Sequence, residues 1–338
     1  MKKRTLASLS LAALLALSGC SSSQTGDTST GDKNTQQTET PAEPYQIGII
    51  QQLEHASLDE IYEGIIAAMA DQGYVDGENI AITYLNGQND LSNLKTISQQ
   101  FVSNNCDLII GIATSACQSA AAETTEIPIV AAAVTDMEAA GLVASNDAPG
   151  GNVTGVSDET PVDKQLELLL QLIPAGSTVG VAYCSSEVNS QVQVNNALAY
   201  LDSVGVPYET GTVTNVNDIP QSLEALAQKV DALYIPVDNT LASAMPQVNQ
   251  ICVEHKLPLV VGAAAMVEEG ALGSVAFDYY DVGYQSGQMA VRILEGADPA
   301  TTPVEVVQDT KLVLSQTYAD SIGLTLPEEL LQSAASVY

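Results

Sequence analysis

One pattern occurs twice in this chain, and it dictates the architecture. An apolar run YQIGII at 45–50, a polar loop at 51–57 and an amphipathic stretch ending at Gly73 are matched by TVGVAY at 178–183, a polar loop at 184–190 and a second amphipathic stretch ending at Gly205. Gly48 and Gly180 lie 132 residues apart, and so do Gly73 and Gly205. Short continuous apolar runs read as strands buried on both faces, and the helical spacing that follows each run reads as a crossover helix laid over them. Two landmarks at one offset mark an internal repeat. The correspondence continues where Asp107-Leu-Ile-Ile-Gly-Ile-Ala-Thr114 precedes Ile127-Pro-Ile-Val130, and Asp231-Ala-Leu-Tyr-Ile-Pro-Val-Asp238 precedes Leu257-Pro-Leu-Val260. The chain is therefore expected to be an α/β protein of two open parallel-sheet lobes, with a hinge and an interlobe cleft. The first lobe is placed at 45–156 plus about 279–304, and the second at 157–278 plus about 305–338. Crossings between the lobes, and hence hinges, are expected near Gly155-Val156, near Asp278-Tyr279 and near 303–307.

What precedes this body does not belong to the fold. Lys2, Lys3 and Arg4, the apolar run LASLSLAALLAL and Leu17-Ser18-Gly19-Cys20 have the three-part form of a bacterial lipoprotein signal. About a dozen apolar residues are too few to span a bilayer. Cleavage after residue 19 would leave Cys20 as an acylated N-terminus, and two or more acyl chains are what stable anchoring requires. Residues 21–44 contain no aromatic side chain and no aliphatic one larger than alanine outside proline, so they read as a flexible tether with a reach of roughly 25–30 Å.

Composition closes off several function classes. With 41 acidic against 10 basic side chains the formal net charge is −31, which repels nucleic-acid backbones. His55 and His255 are the only histidines, leaving little material for an imidazole-built metal site, and no cofactor is called for. Cys106, Cys117, Cys184 and Cys252 sit in or beside apolar runs and are expected as buried free thiols. No G-x-S-x-G elbow, P-loop, H-E-x-x-H or strand-following G-x-G-x-x-G occurs. The expectation is a binding protein and not an enzyme. A ligand-binding sensory module and a lipid-anchored hydrolase are the competing readings, the latter requiring His55 or His255 beside a nucleophile.

In open α/β sheets ligands sit beyond the carboxyl ends of the strands. Four such ends stand out, at 51–57, 114–118, 184–190 and 238–240. Thr114 and Ser115, with Ser186 and Asn189, offer hydroxyl, amide and helix-start N–H donors suited to a carboxylate. Asp158 and Asp238, the latter beside Asn239, are candidates for an ammonium.

Together with the signal and the duplicated lobes, the stretches His55-Ala-Ser-Leu-Asp59, Ala113-Thr-Ser-Ala-Cys-Gln118, Asn152-Val-Thr-Gly-Val-Ser-Asp158, Ser185-Ser-Glu-Val-Asn-Ser190, Val237-Asp-Asn-Thr240 and Asp278-Tyr-Tyr-Asp-Val-Gly283 resemble the substrate-binding lipoproteins of ABC importers. More narrowly, they are similar to the subgroup with tryptophan- and phenylalanine-binding members. The family's usual prolines are replaced here by Ser115 and Ala56. The resemblance implies a periplasmic-binding-protein fold of type I and a small zwitterionic ligand, an aromatic amino acid, closed between the lobes. Mapped onto this chain, it implies Gln51, Leu53 and His55 at the side-chain end of that ligand and Tyr279 as its aromatic wall, in a chain with no tryptophan and two phenylalanines. It further implies an extracytoplasmic, membrane-anchored monomer whose partners are an ABC permease and its ATPase.

Overall fold

The computed structural model describes residues 43–338; the leader, Cys20 and nearly all of the tether lie outside them. Strands in the first half of the chain are β1 (Tyr45–Gln51), β2 (Ile80–Asn86), β3 (Leu108–Ile112), β4 (Ile129–Ala132) and β5 (Val153–Ser157). They are followed by β6 (Val179–Cys184), β7 (Tyr208–Val213), β8 (Ala232–Ile235), β9 (Leu259–Val261), β10 (Gly273–Ala276), β11 (Glu305–Val306), β12 (Lys311–Leu314) and β13 (Ser336–Val337). Two sheets result, ordered β11-β5-β4-β3-β1-β2 and β13-β12-β10-β9-β8-β6-β7. The first is parallel throughout, as expected. The second departs from the expectation at one pairing, where β12 runs antiparallel to β10, because the chain enters it from the other lobe and not through a crossover helix. Among the described residues, no helix is long and apolar enough to cross a membrane.

The repeated glycines have the same physical cause in both halves. A Cβ on Gly48 would lie 2.6 Å from the Phe101 ring, and one on Gly180 would lie 2.9 Å from Leu233. At Gly48 the pressing ring belongs to the covering helix Leu91–Ser103, and at Gly180 the side chain belongs to the neighbouring strand β8, with Leu226 of the covering helix Ile219–Ala227 at 3.2 Å. Gly73 and Gly205 have φ of +85° and +69°, the left-handed conformation that ends a helix and that glycine adopts without strain. Cys106, Cys117, Cys184 and Cys252 are all buried and free.

The chain passes between the sheets three times, twice later than the sequence pattern suggests. β5 extends through Ser157, held there by parallel pairing of Val156 and Ser157 with β11, so the first crossing falls at 158–161. The second lies between β10 and the helix Tyr279–Leu294, as anticipated. The third falls at 307–310 instead of starting at 303, because Glu305 is bound in the first lobe by Arg292 at 2.5 Å and by Gln285 at 2.6 Å.

Helix Tyr279–Leu294 returns to the first lobe and packs against helix Ala56–Asp71, which buries Leu58, Ile61, Ile65 and Met69 along one stripe. The approach is close enough to demand glycine on both sides. A Cβ on Gly283 would lie 2.1 Å from the Ile61 carbonyl oxygen, and one on Gly64 would lie 2.3 Å from that of Tyr280. Backbone atoms cannot rotate away as a side chain can, so a methyl group here must separate the helices. We predict that G283A lowers stability by about 1–3 kcal/mol, the usual cost of overpacking, read as an earlier denaturant midpoint at unchanged slope. An unshifted midpoint would show that this helix pair is not packed as described.

Candidate functional site

The carboxyl ends of both sheets face one another and enclose a narrow cavity with about 350 Å3 of space between its atoms. From the first lobe come His55 after β1, Ser57 and Leu58 in the first turn of helix Ala56–Asp71, Ala133 and Thr135 after β4, and Asp158 after β5. The second lobe supplies Val237, Asp238, Asn239 and Ala242 after β8, Asn189 from helix Val188–Val204, and Ala263 and Met266 after β9. Tyr279 stands at the second crossing, in contact with both.

Two carboxylates reach this cavity, each nearly out of water. Asp158 is 2% exposed and accepts hydrogen bonds from the Thr135 hydroxyl at 2.9 Å and the Tyr279 hydroxyl at 3.0 Å. Burial pushes its pKa upward, against the pull of those two donors. Asp238 is 1% exposed and caps helix Asn239–Ala242 through Leu241 N–H at 2.8 Å. Its other oxygen accepts from Cys184 N–H at 2.6 Å and Ser190 Oγ at 2.8 Å. Burial, and after it the charge of Glu187, push Asp238 up as well. Among the described residues, no lysine or arginine lines the cavity. Burial pushes the His55 pKa down, against the opposing pull of Asn239, Glu187 and Asp59.

Helix Ala56–Asp71 begins at the cavity wall, and its N-cap residue His55 makes no side-chain capping bond. The Leu58 and Asp59 N–H groups donate to the His55 carbonyl at 3.0 and 3.1 Å, and the helix start, with the positive end of its dipole, lies at the same space as the carboxylates. Ala133 has φ of +56°, a left-handed conformation unusual for a residue with a Cβ. It turns the backbone after β4 toward the cavity.

Of the residues singled out from sequence, His55, Asp158, Asn189, Asp238, Asn239 and Tyr279 are brought together here. Gln51, Leu53, Thr114, Ser115 and Ser186 are not among the lining residues. Ser115 N–H donates to Gln52 Oε1 at 3.3 Å, and Gln51 Nε2 donates to Asp59 at 2.7 Å and to the Leu53 carbonyl at 2.8 Å. Ser186 is engaged with Cys184 Sγ at 3.0 Å. Ser57, Leu58, Ala133, Thr135, Ala242, Ala263 and Met266 were not anticipated. Small and aliphatic residues carry no chemical mark in a sequence; only their position after a strand end pointed to them.

Two hydrogen bonds join the lobes across the cavity mouth, His55 Nε2 to Asn239 Oδ1 at 3.2 Å and Asn89 Nδ2 to Thr240 Oγ1 at 3.3 Å. The hydrolase reading asks for an imidazole bonded to a nucleophile. His55 bonds to an amide and His255 to Glu224 at 2.8 Å on a lobe surface. Among the described residues, no serine or cysteine hydrogen-bonds to either ring.

Comparisons with known proteins agree with this geometry. The chain is 37% identical to a tyrosine-binding protein of Clostridioides difficile, over 94% of its own length and 91% of that protein's. It is 42% identical to a Streptococcus pneumonia ABC domain solved in complex with L-Trp, covering 88% of this chain and 100% of that one, with a TM-score of 0.85. It is 39% identical to a ligand-free, open substrate-binding protein with adhesive properties from Clostridium difficile, covering 87% and 99%, with a TM-score of 0.67. At nearly equal identity, the lobes here superpose better on the ligand-bound arrangement than on the open one, which fits the bonds across the mouth. The family model for ABC transporter substrate-binding proteins matches residues 46–338, and the chain belongs to that family.

Proposed function

We propose that this protein is the extracytoplasmic, lipid-anchored receptor of an ABC importer, and that its cargo is a neutral amino acid with an aromatic side chain. The observation that carries the reading is a cavity with two buried carboxylates and, among the described residues, no lysine or arginine on its wall. A ligand ammonium supplies the missing charge, and charge-assisted bonds out of water are strong. Asp158 and Asp238 are its proposed partners. The ligand carboxylate is assigned to the uncapped start of helix Ala56–Asp71, beside Asn189. Leu58, Ala263 and Met266 with the Tyr279 ring leave an apolar region for the side chain. The relatives, one named for tyrosine and one holding L-Trp, support an aromatic one.

Capture follows from differential contact. Groups on both lobes meet the ligand only when the lobes close, so binding shifts the population toward the closed form. An ABC permease with its ATPase is the proposed recipient of that form. The chain is read as a monomer attached to the membrane through Cys20.

A ligand present at a hundred times its dissociation constant stabilises the protein by roughly 2.7 kcal/mol. A thermal-denaturation screen should therefore give an upward shift with L-Trp, L-Tyr or L-Phe; no shift with any of the three would overturn the cargo assignment. D158N should weaken the amino acid that binds by roughly ten- to a hundredfold while leaving its deaminated analogue unaffected. Equal losses for both would mean that Asp158 does not meet the ammonium.

Closure also brings acids together. Glu60 on the first lobe has its pKa raised to about 7, first by burial and then by Asp278, Glu268, Glu63 and Glu269. Glu268 and Glu269 belong to the second lobe, and Lys311 and Tyr338 line the same recess. Opening separates Glu60 from Glu268 and Glu269, so the closed form holds the proton more tightly. Ionised Glu60 therefore opposes closure above pH 7 and not below its ordinary range. E60Q should bind ligand more tightly than the native protein at pH 8 and equally at pH 4.5, measured by calorimetry; a constant ratio would sink the idea.

A further inference from the structure

Glu187 touches neither the cavity nor the other lobe, yet both bonds across the mouth run through groups that it orients. It is 3% exposed. Its Oε2 accepts from Asn239 N–H at 3.1 Å and Asn239 Nδ2 at 2.7 Å, and its Oε1 accepts from Thr240 N–H at 2.9 Å and Thr240 Oγ1 at 2.6 Å. These four donors come from two adjacent residues, and Asn189 Nδ2 is a fifth, at 3.4 Å from Oε2. This leaves those residues with one kind of function toward the other lobe. Asn239 has its amide NH2 turned inward, so its Oδ1 faces outward as an acceptor. Thr240 has given its only hydroxyl proton to the carboxylate, so its oxygen too can only accept. His55 and Asn89 must therefore be donors.

The first lobe is wired to match. Ser115 N–H, at the start of helix Thr114–Glu123, donates to Gln52 Oε1 at 3.3 Å, which turns Gln52 Nε2 toward Asn89 Oδ1 at 3.2 Å. With its oxygen occupied, Asn89 presents its NH2 to Thr240. A single directed series thus runs from a helix N-terminus in one lobe, through Gln52, Asn89 and Thr240, to a buried carboxylate in the other. Each bond in such a series polarises the next in the same sense, and its two ends are the positive pole of a helix and a negative charge.

We propose that Glu187 is the positioning residue for closure: by fixing Asn239 and Thr240 as acceptors, it makes them complementary to the donors His55 and Asn89. It thereby sets ligand affinity without meeting the ligand. The proposal rests on the closure reading given above.

Glu187→Gln tests it directly. The amide keeps the size but replaces one of the two acceptor oxygens with an NH2 donor, so the Asn239 or Thr240 groups facing it must reorient and the outward polarity is lost. Calorimetric titration of the full chain with L-Trp, L-Tyr and L-Phe should give E187Q a ten- to hundredfold weaker affinity than the native protein for whichever ligand binds, roughly what charge-assisted hydrogen bonds contribute. Asn89→Ala, which removes one donor outside the cavity, should cost roughly two- to tenfold in the native background and nothing further in the E187Q background. That non-additivity separates a residue acting through the Asn89 bond from one that merely stabilises its own loop, whose effect would multiply with that of N89A. Thr240→Val, which keeps the shape and removes the hydroxyl, carries the same cycle with N89A should E187Q not fold. Multiplicative losses in the cycle, or native affinity in E187Q, would overturn the proposal. Absence of binding by the native protein to all three amino acids would instead overturn the cargo assignment. In that case, scattering by the ligand-free protein decides: the proposal expects a more open envelope for E187Q or T240V, and an unchanged envelope overturns it.

Discussion

The two crossings that flank the cavity meet in one hydrogen bond, from the Tyr279 hydroxyl to Asp158. Asp158 is the first residue after β5, and Tyr279 opens the helix that carries the chain back to the first lobe. Thr135 holds the other carboxylate oxygen, and Ser157 Oγ donates to the Thr135 carbonyl at 2.9 Å. Out of water a hydroxyl-to-carboxylate bond is strong, and leaving either partner alone is expensive. The pair therefore pins both crossings to the cavity floor. A ligand that meets Asp158 acts on the segments about which the lobes turn, so binding and lobe movement need no long relay between them.

How much of this was legible beforehand depended on whether a position announces itself chemically. The strands and the duplication were legible because Gly48 and Gly180 keep room for a pressing side chain, while Gly73 and Gly205 take a backbone conformation that other residues avoid. Several of the cavity's polar residues were legible because strand ends in an α/β lobe converge, and Asp158, Asn189, Asp238, Asn239 and Tyr279 follow such ends, whereas Ser57 and Thr135 were not singled out. Thr114 and Ser115 show the limit of that argument. A hydroxyl pair at a helix start looks alike whether its N–H groups face a ligand or the amide of Gln52. The third crossing was misplaced because β11 is two residues long and has no periodicity; only the bonds to Glu305 from Arg292 and Gln285 define it. Glu187 was invisible as a position of consequence because nothing in sequence distinguishes it among 41 acidic residues.

Acidic side chains act in this protein in two opposed ways. Glu187, Asp238 and Asp158 are buried, supplied with donors, and build the surfaces that meet. Glu60, Glu268, Glu269 and Asp278 crowd one another at the edge of the cleft and resist the meeting. The closed form gains two hydrogen bonds between neutral partners across its mouth, worth about 1 kcal/mol each, against that repulsion. The bonds across the mouth and the repulsion at the cleft edge act in opposite directions, and a modest ligand contribution moves the population most where neither form is strongly favoured.

That balance also bears on which cargo suits the site. A cavity facing two carboxylates in low-dielectric surroundings gains most from a ligand that brings one compact positive charge, and it repels a ligand that brings only negative charge. A zwitterion satisfies both conditions provided its own carboxylate is kept apart from Asp158 and Asp238. The start of helix Ala56–Asp71 offers a positive dipole end on the lobe opposite Asp238, while Asp158, on the same lobe as that helix, is already occupied by the Thr135 and Tyr279 hydroxyls. An amino acid lying between the two poles therefore completes the electrostatics of both lobes at once, and it does so only when they are closed.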